Sequence, residues 1–217
     1  MKMMPAIEGV KKDFFWDAND TGLYGYYNNI NSNSGPVGDW FASHKEVIEK
    51  IPHNKRQTVI QAGGAFGMYP ILLRNYFQTV HTFEPDPINY NILCKNIQHH
   101  KVSNIHSHNI ALSLEDCTLI FAQSPESGNR GTSLVHPQGN TQVDATSIDN
   151  INIENVDFIW LDIEGYEYEA LQGAIKTIRK YSPIIAIERP SEKVFEFLNA
   201  LGYLPWKNSK MDVFFVK

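Results

Sequence analysis

The segment that most restricts the fold is Thr58-Val59-Ile60-Gln61-Ala62 followed directly by Gly63-Gly64-Ala65-Phe66-Gly67. The first five residues, rich in β-branched side chains, read as a strand, and Ile71, Leu72, Asn75 and Tyr76 recur beyond the glycines at helical spacing. Glycines at 63, 64 and 67 let backbone approach a ligand where a side chain would collide, and the helix beyond them supplies free N–H groups. The unit then repeats. Thr79–Phe83 is a second strand, it ends at Glu84-Pro85-Asp86-Pro87, and Ile88, Ile92, Leu93 and Ile97 form one helix face. Glu84 falls about 20 residues after the glycine turn, at a strand end, where an acidic side chain can accept hydrogen bonds from both ribose hydroxyls. Glycine turn and acidic strand end together describe a nucleoside site.

The alternation continues along the chain. Residues 104–111 read as a third strand and 118–122 as a short fourth, expected to be antiparallel. Val156–Leu161 is apolar enough for a strand covered on both faces and ends at Asp162-Ile163-Glu164-Gly165. In the next helix Leu171, Ala174, Ile175 and Ile178 share a face, with Glu167 and Glu169 near its start and Lys176, Arg179 and Lys180 near its end, as the helix dipole prefers. Strand 184–187 reaches Glu188, helix 192–201 stops at Gly202, and residues 203–206 and 213–216, flanking Asn208-Ser209-Lys210, read as a closing hairpin. The fold class expected is α/β, a sandwich of helices around a mainly parallel sheet, whose ligands bind at the carboxyl ends of the strands. Ahead of it, 40–51 reads as a helix stopped by Pro52, and 1–39 as an arm or lid rich in Gly, Asn, Ser and Tyr from Thr21 onward. A chain of 217 residues favours one core, so residues 40–217 are taken as one domain, with the polar stretch 124–142 looping over the acceptor side.

Hydrophobic residues at 42% and charged residues at 20% exclude wholesale disorder, collagen-like repeats and coiled coil. A net charge of -5 is the wrong sign for gripping phosphate backbones, so no nucleic-acid partner is expected. Cys94 and Cys117 belong to no C-x-x-C pair or Cys/His cluster and read as buried thiols. His99, His100, His106 and His108 read as a partly exposed strand region rather than a metal site. Without a long uncharged apolar run the expectation is no membrane span and a cytoplasmic location.

Taken in order, Thr58 to Gly67, Phe83-Glu84-Pro85-Asp86-Pro87, Asn109-Ile110-Ala111-Leu112-Ser113, Asp162-Ile163-Glu164-Gly165-Tyr166-Glu167 and Leu171-Gln172-Gly173-Ala174 resemble the FkbM-type methyltransferases. Gly131-Thr132-Ser133-Leu134 is similar to that family's Gly-x-Ser-Ser-Leu segment. The resemblance implies a Rossmann-like class I methyltransferase sandwich, a mainly parallel seven-stranded sheet with an antiparallel C-terminal hairpin. It also implies S-adenosylmethionine as cofactor and methylation of a hydroxyl on a sugar, glycolipid or other small molecule. On that basis Gln61, Gly63, Gly64, Ala65, Phe66 and Gly67 would face the methionine part, Glu84 the ribose and Asn109 the adenine edge, with Asp162 beside the methyl group. Relatives usually carry Asp at the position of Gln61, Asn at that of Ala65 and often Lys at that of Trp160.

Methyl transfer from a sulfonium needs alignment, exclusion of water and a base for the acceptor proton. Asp162 and Glu164 are the candidate bases, and Asp162 with Glu188 could hold a divalent cation that lowers the acceptor's pKa. Two other readings compete. A nicotinamide-dependent oxidoreductase shares the glycine loop and Glu84, although Ala62 departs from the full dinucleotide fingerprint. A catalytically silent Rossmann-like binding module would account for Gln61 and Trp160.

Overall fold

The computed structural model describes residues 2–4, 14–20, 44–122, 130–209 and 211–217. Strands β1 (Lys2–Met4) and β2 (Phe14–Trp16) pair antiparallel, and Phe14 and Trp16 are buried against Phe66, Ile71 and Ile92. The helix expected over 40–51 is described from 44 and runs to 48 as α1; its earlier residues, like the stretch 21–39 of the arm, lie outside the described residues. Next come β3 (Thr58–Ala62), α2 (Met68–Leu73), β4 (Thr79–Phe83), α3 (Pro87–His99) and β5 (Ile105–His108).

A second, smaller sheet follows. It is four-stranded, in the order β6-β9-β7-β8, and is made of β6 (Ala111–Leu112), β7 (Cys117–Ala122), β8 (Leu134–Val135) and β9 (Thr141–Thr146). Helix α4 (Ile148–Ile151) leads back to β10 (Val156–Leu161), α5 (Glu167–Gln172), α6 (Ile175–Tyr181), β11 (Ile184–Glu188), α7 (Glu192–Ala200), β12 (Leu204–Ser209) and β13 (Asp212–Val216).

The main sheet has seven strands in the order β12-β13-β11-β10-β3-β4-β5, and β13 alone runs against the rest. Strand order reverses between β3 and β10, which leaves a crevice above their carboxyl ends. Pleating divides the core cleanly. Val59, Phe158, Trp160, Ala186 and Phe214 point to one face, under Val47 and Ile48 of α1 and Leu73 of α2. Ile60, Ile159, Leu161, Ile185 and Ile187 point to the other, under Leu171, Ala174, Ile178 and Leu198. Both faces of β3 are covered, so all five of its residues are buried.

Four expectations need correction. The helix expected to carry Leu171 through Ile178 is two helices, because Gly173 presses on Ser113: a Cβ there would stand 2.0 Å from the Ser113 carbonyl oxygen. Asp149 of α4 then caps the second helix, accepting from the Lys176 and Thr177 N–H groups at 2.9 and 2.8 Å. The strand expected over 104–111 ends at His108, and the chain departs to the smaller sheet. The polar stretch 124–142 is partly structured: residues 123–129 lie outside the described residues, but Arg130–Thr132 forms a 3-10 turn and β8 and the start of β9 follow. Neither cysteine is a core thiol, Cys94 being half-buried and Cys117 exposed.

Candidate active site

One cavity of about 310 Å³ fills the crevice. Gly63 forms its floor, with φ at +83° and no room for a side chain: a Cβ would sit 1.9 Å from the carbonyl oxygen of Asp162, so the ends of the two central strands close onto each other only through glycine. The turn is braced from both sides. The N–H groups of Gly63 and Gly64 donate to the Phe83 carbonyl at 3.1 and 3.0 Å, and the Ala65 N–H donates to Glu84 Oε2 at 2.7 Å. Glu84 Oε1 accepts from the Asp86 N–H at 2.9 Å, and burial outweighs these contacts, pushing the Glu84 carboxyl up to about 8. Asp86 in turn caps α3 through the N–H groups of Ile88 and Asn89.

Among the residues singled out from sequence, Gly63, Ala65, Phe66, Glu84, Asp162, Glu164 and Glu188 line the cavity. Gln61, Gly64, Gly67 and Asn109 do not line it. The Gln61 amide is fully engaged: Nε2 donates to the carbonyls of Ala62 and Gly63 at 3.1 and 2.9 Å, and Oε1 accepts from Thr82 at 2.6 Å. Asn109 Nδ2 donates to the carbonyls of Glu84 and Pro85 at 2.9 and 3.1 Å, which fixes the acidic loop, while its neighbours Ile110 and Ala111 face the cavity.

At the opposite end one carboxylate oxygen from each of Asp162, Glu164 and Glu188 lies within 4.8 Å of the other two. Burial, and then the adjacent Glu188, push the Asp162 carboxyl well above the usual carboxylate range; burial, and then Glu188, raise Glu164 as well. Glu167, the first residue of α5, braces the loop ahead of it: its Oε1 accepts from the N–H groups of Ile163 and Gly165 at 3.1 Å each. Glu164 is held at φ +54°, a left-handed conformation that a glutamate adopts at a cost and that turns its carboxylate toward the cavity.

Several lining residues escaped the sequence reading, among them Tyr69, Phe121, Arg130, Tyr166 and Met211. Tyr166 and Arg130 each adjoin a motif, the Asp-Ile-Glu-Gly block and the Gly131-x-Ser133 segment. Arg130 joins distant segments: Nε donates to Asp17 Oδ2 at 2.6 Å, Nη1 lies 3.5 Å from Asp86 Oδ2, and its N–H donates to Asp20 Oδ2 at 3.0 Å.

A mainly parallel sheet with an antiparallel strand inserted before its edge, and a glycine-floored cavity at the switch point, define a Rossmann-like methyltransferase fold. Residues 61–208 match the family described as the methyltransferase FkbM domain, and the chain belongs to that family. It is 24% identical over 162 residues to "Methyltransferase 1" of Beauveria bassiana (strain ARSEF 2860), covering 60% of this chain and 65% of that protein, less than two thirds of its length. Among solved structures it resembles methyltransferase FkbM from Methylobacillus flagellatus KT, with a TM-score of 0.54 and 20% identity over 74% of this chain and 43% of that one. It also resembles the O-methyltransferase from Bacillus cereus in complex with SAH, with a TM-score of 0.51 and 14% identity over 94% of this chain and 92% of that one.

The nicotinamide reading loses its ground. A Tyr-x-x-x-Lys spacing suited to such chemistry does occur, at Tyr203 and Lys207, but neither residue lines the cavity; Tyr203 is buried and Lys207 pairs with Glu46 at 2.6 Å.

Proposed function

We propose that the chain is an S-adenosylmethionine-dependent methyltransferase acting on a hydroxyl of a sugar, glycolipid or other small hydroxylated molecule. The observation that carries this reading is one cavity with a buried acid, Glu84, at one end and the carboxylates of Asp162, Glu164 and Glu188 at the other. The residues fit the cofactor. Glu84 is anchored by two backbone N–H groups and keeps further lone pairs for ribose hydroxyls, while Pro85, Ile110 and Phe83 give an apolar seat for a base. S-adenosylmethionine, when bound, supplies a methyl group already activated on a sulfonium, so the protein needs no nucleophile of its own.

What remains for the side chains is to orient the acceptor and take its proton. Asp162, whose proton affinity is raised by burial and by the adjacent Glu188, accepts the hydroxyl proton on a carboxylate oxygen. Glu164 faces the same space and is the second candidate. The same three carboxylates have the donor chemistry for a divalent cation, and transfer that is lost with a chelator and restored by magnesium would assign them that role.

Residues 40–217 are read as the methyltransferase domain and 1–39 and 124–142 as its acceptor-side cover. The support is Arg130, which lines the cavity and binds Asp17 and Asp20 of the arm. A small-molecule or carbohydrate partner, no nucleic acid and a cytoplasmic location complete the reading; among the described residues no helix is long and apolar enough to cross a membrane.

The test is transfer of a labelled methyl group from S-adenosylmethionine to a panel of glycosides, polyols and amines. Label on a hydroxyl, lost in Asp162→Asn, supports the proposal. Label on amines only contradicts the hydroxyl assignment, and no transfer to any acceptor despite cofactor binding favours the silent binding module.

A further inference from the structure

The Glu84 end of the cavity is tied to a part of the chain that precedes the stretch matching the FkbM domain, residues 61–208. Strand β2 pairs with β1 and, besides it, with a side chain. Asn96 of α3 is buried, and its amide engages Phe15 as a neighbouring strand would: Oδ1 accepts the Phe15 N–H at 2.7 Å, and Nδ2 donates to the Phe15 carbonyl at 2.9 Å. The same Nδ2 donates to the carbonyl of Phe66, in the glycine loop, at 2.8 Å. One amide thus joins β2 to a residue that lines the cavity. Phe14 and Trp16 pack around the joint, in one cluster with Phe66, Ile71 and Ile92.

A second tie reaches the acidic loop. Arg130 Nε donates to Asp17 Oδ2, its backbone N–H donates to Asp20 Oδ2, and its Nη1 lies 3.5 Å from Asp86 Oδ2. Asp86 is buried; it gives its own N–H to Glu84 Oε1 and caps α3 through Oδ1, so it is fixed to the carboxylate read as the ribose acceptor. Asn89 of α3 donates to the Arg130 carbonyl at 3.4 Å. Residues 14–20 therefore reach the glycine loop through Asn96 and the acidic loop through Arg130, yet none of them lines the cavity. A two-stranded hairpin is marginal by itself, and buried polar groups such as Asn96 and Asp86 are costly unless bonded. Hairpin and loops hold one another in place.

We propose that residues 14–20 are a positioning element of the methyl-donor site, with Asp17 acting through Arg130: they keep the loops at Phe66 and Glu84 at the spacing that the donor's nucleoside requires. This rests on the S-adenosylmethionine reading above. Docking of the hairpin and binding of the donor are then linked, so loosening the first weakens the second.

The experiment is isothermal titration of the full chain with S-adenosylhomocysteine as probe, at a temperature where every variant is folded. Asp17→Asn keeps the size of the side chain and an acceptor for the Asn19 N–H, so the turn after β2 survives while the bond to Arg130 loses its charge. It should raise Kd at least ~threefold, and Arg130→Gln should raise it at least as much. Adding Asp17→Asn to Arg130→Gln should change Kd by less than about twofold, because the two residues act as one unit. A loss in Arg130→Gln alone is explained by direct contact, since Arg130 lines the cavity; Asp17 does not line it, and its effect has to pass through the guanidinium. Should Arg130→Gln fail to fold, Asp17→Asn alone decides. An unchanged Kd in Asp17→Asn, with or without a lowered Tm, overturns the proposal and leaves the hairpin a purely structural role; full additivity in the double variant overturns it too. Failure of the unaltered protein to bind the probe instead overturns the cofactor reading itself.

Discussion

Raising the pH should weaken the cofactor-free protein, and Glu84 should account for a measurable part of the slope. Its two backbone N–H contacts, from Ala65 and Asp86, favour the charged form, but complete burial outweighs them and pushes the carboxyl up to about 8. An unfolded glutamic acid loses its proton near about pH 4.5, so between the two values the folded state holds a proton that the unfolded state has released. The stabilisation is complete below about pH 4.5 and is lost as the pH rises through about 8. One proton is worth about 1.4 kcal/mol per pH unit, so moving from about pH 5 to about pH 7 removes about 3 kcal/mol. For a domain of this size that is roughly 5–10 °C in Tm. Asp162, Glu164 and Glu167 are raised as well, so the total slope is steeper, and the difference between the original protein and Glu84→Gln isolates Glu84. Scanning calorimetry at constant ionic strength, without cofactor, reads both slopes, and the variant's should be shallower by about one proton. Equal slopes would refute the reasoning: Glu84 would then be ionised in the native state, with the two N–H donors winning over burial.

Three further outcomes follow from the same geometry. Gly63→Ala brings a Cβ to 1.9 Å from the Asp162 carbonyl at a φ of +83°, so denaturant unfolding should show a loss of at least ~3 kcal/mol; an unchanged midpoint would contradict the close approach of β3 and β10. Gln61→Glu replaces a donor facing the Ala62 and Gly63 carbonyls with an acceptor, and should cost about 1–3 kcal/mol and loosen S-adenosylhomocysteine, both read by calorimetry. Asp162→Asn should lower methyl transfer at least ~100-fold while changing cofactor affinity far less, and equal losses in both would remove Asp162 from the proton-transfer role.

The strand, glycine turn and helix units were legible because each rests on local periodicity and on residues that act where they stand. Thr58–Ala62, the glycines at 63 and 67 and the acidic end at Glu84 needed no knowledge of distant partners. What the sequence hid depends on contacts between remote segments. The break at Gly173 is imposed by Ser113 and capped by Asp149, neither of which adjoins the helix in sequence. Of the smaller sheet the sequence showed one strand, the antiparallel run read over 118–122, and left a second trace in Thr141–Thr146, where buried Val143 and Ala145 alternate with exposed Gln142 and Asp144. Gln61 and Asn109 were assigned to a ligand through the family resemblance, yet their amides are engaged by backbone and Thr82, because a strand-end polar side chain can turn to brace the neighbouring loop as readily as to face the crevice. Asp212 carries no motif, and only the pairing of β13 with β11 brings it opposite Glu188.

The central claim is that the cavity between Gly63 and Glu84 binds the nucleoside of S-adenosylmethionine, and the most direct test is titration of the protein with S-adenosylhomocysteine and, separately, NAD. The account predicts saturable binding of S-adenosylhomocysteine at about one site per chain, no saturable binding of NAD, and at least ~10-fold weaker S-adenosylhomocysteine binding in Glu84→Ala at a temperature where that variant is still folded. Because Ala would also strip the Ala65 and Asp86 N–H groups of their acceptor, the variant's folded fraction is measured alongside. Binding of NAD in place of S-adenosylhomocysteine, or an affinity for S-adenosylhomocysteine that Glu84→Ala leaves unchanged, would contradict it.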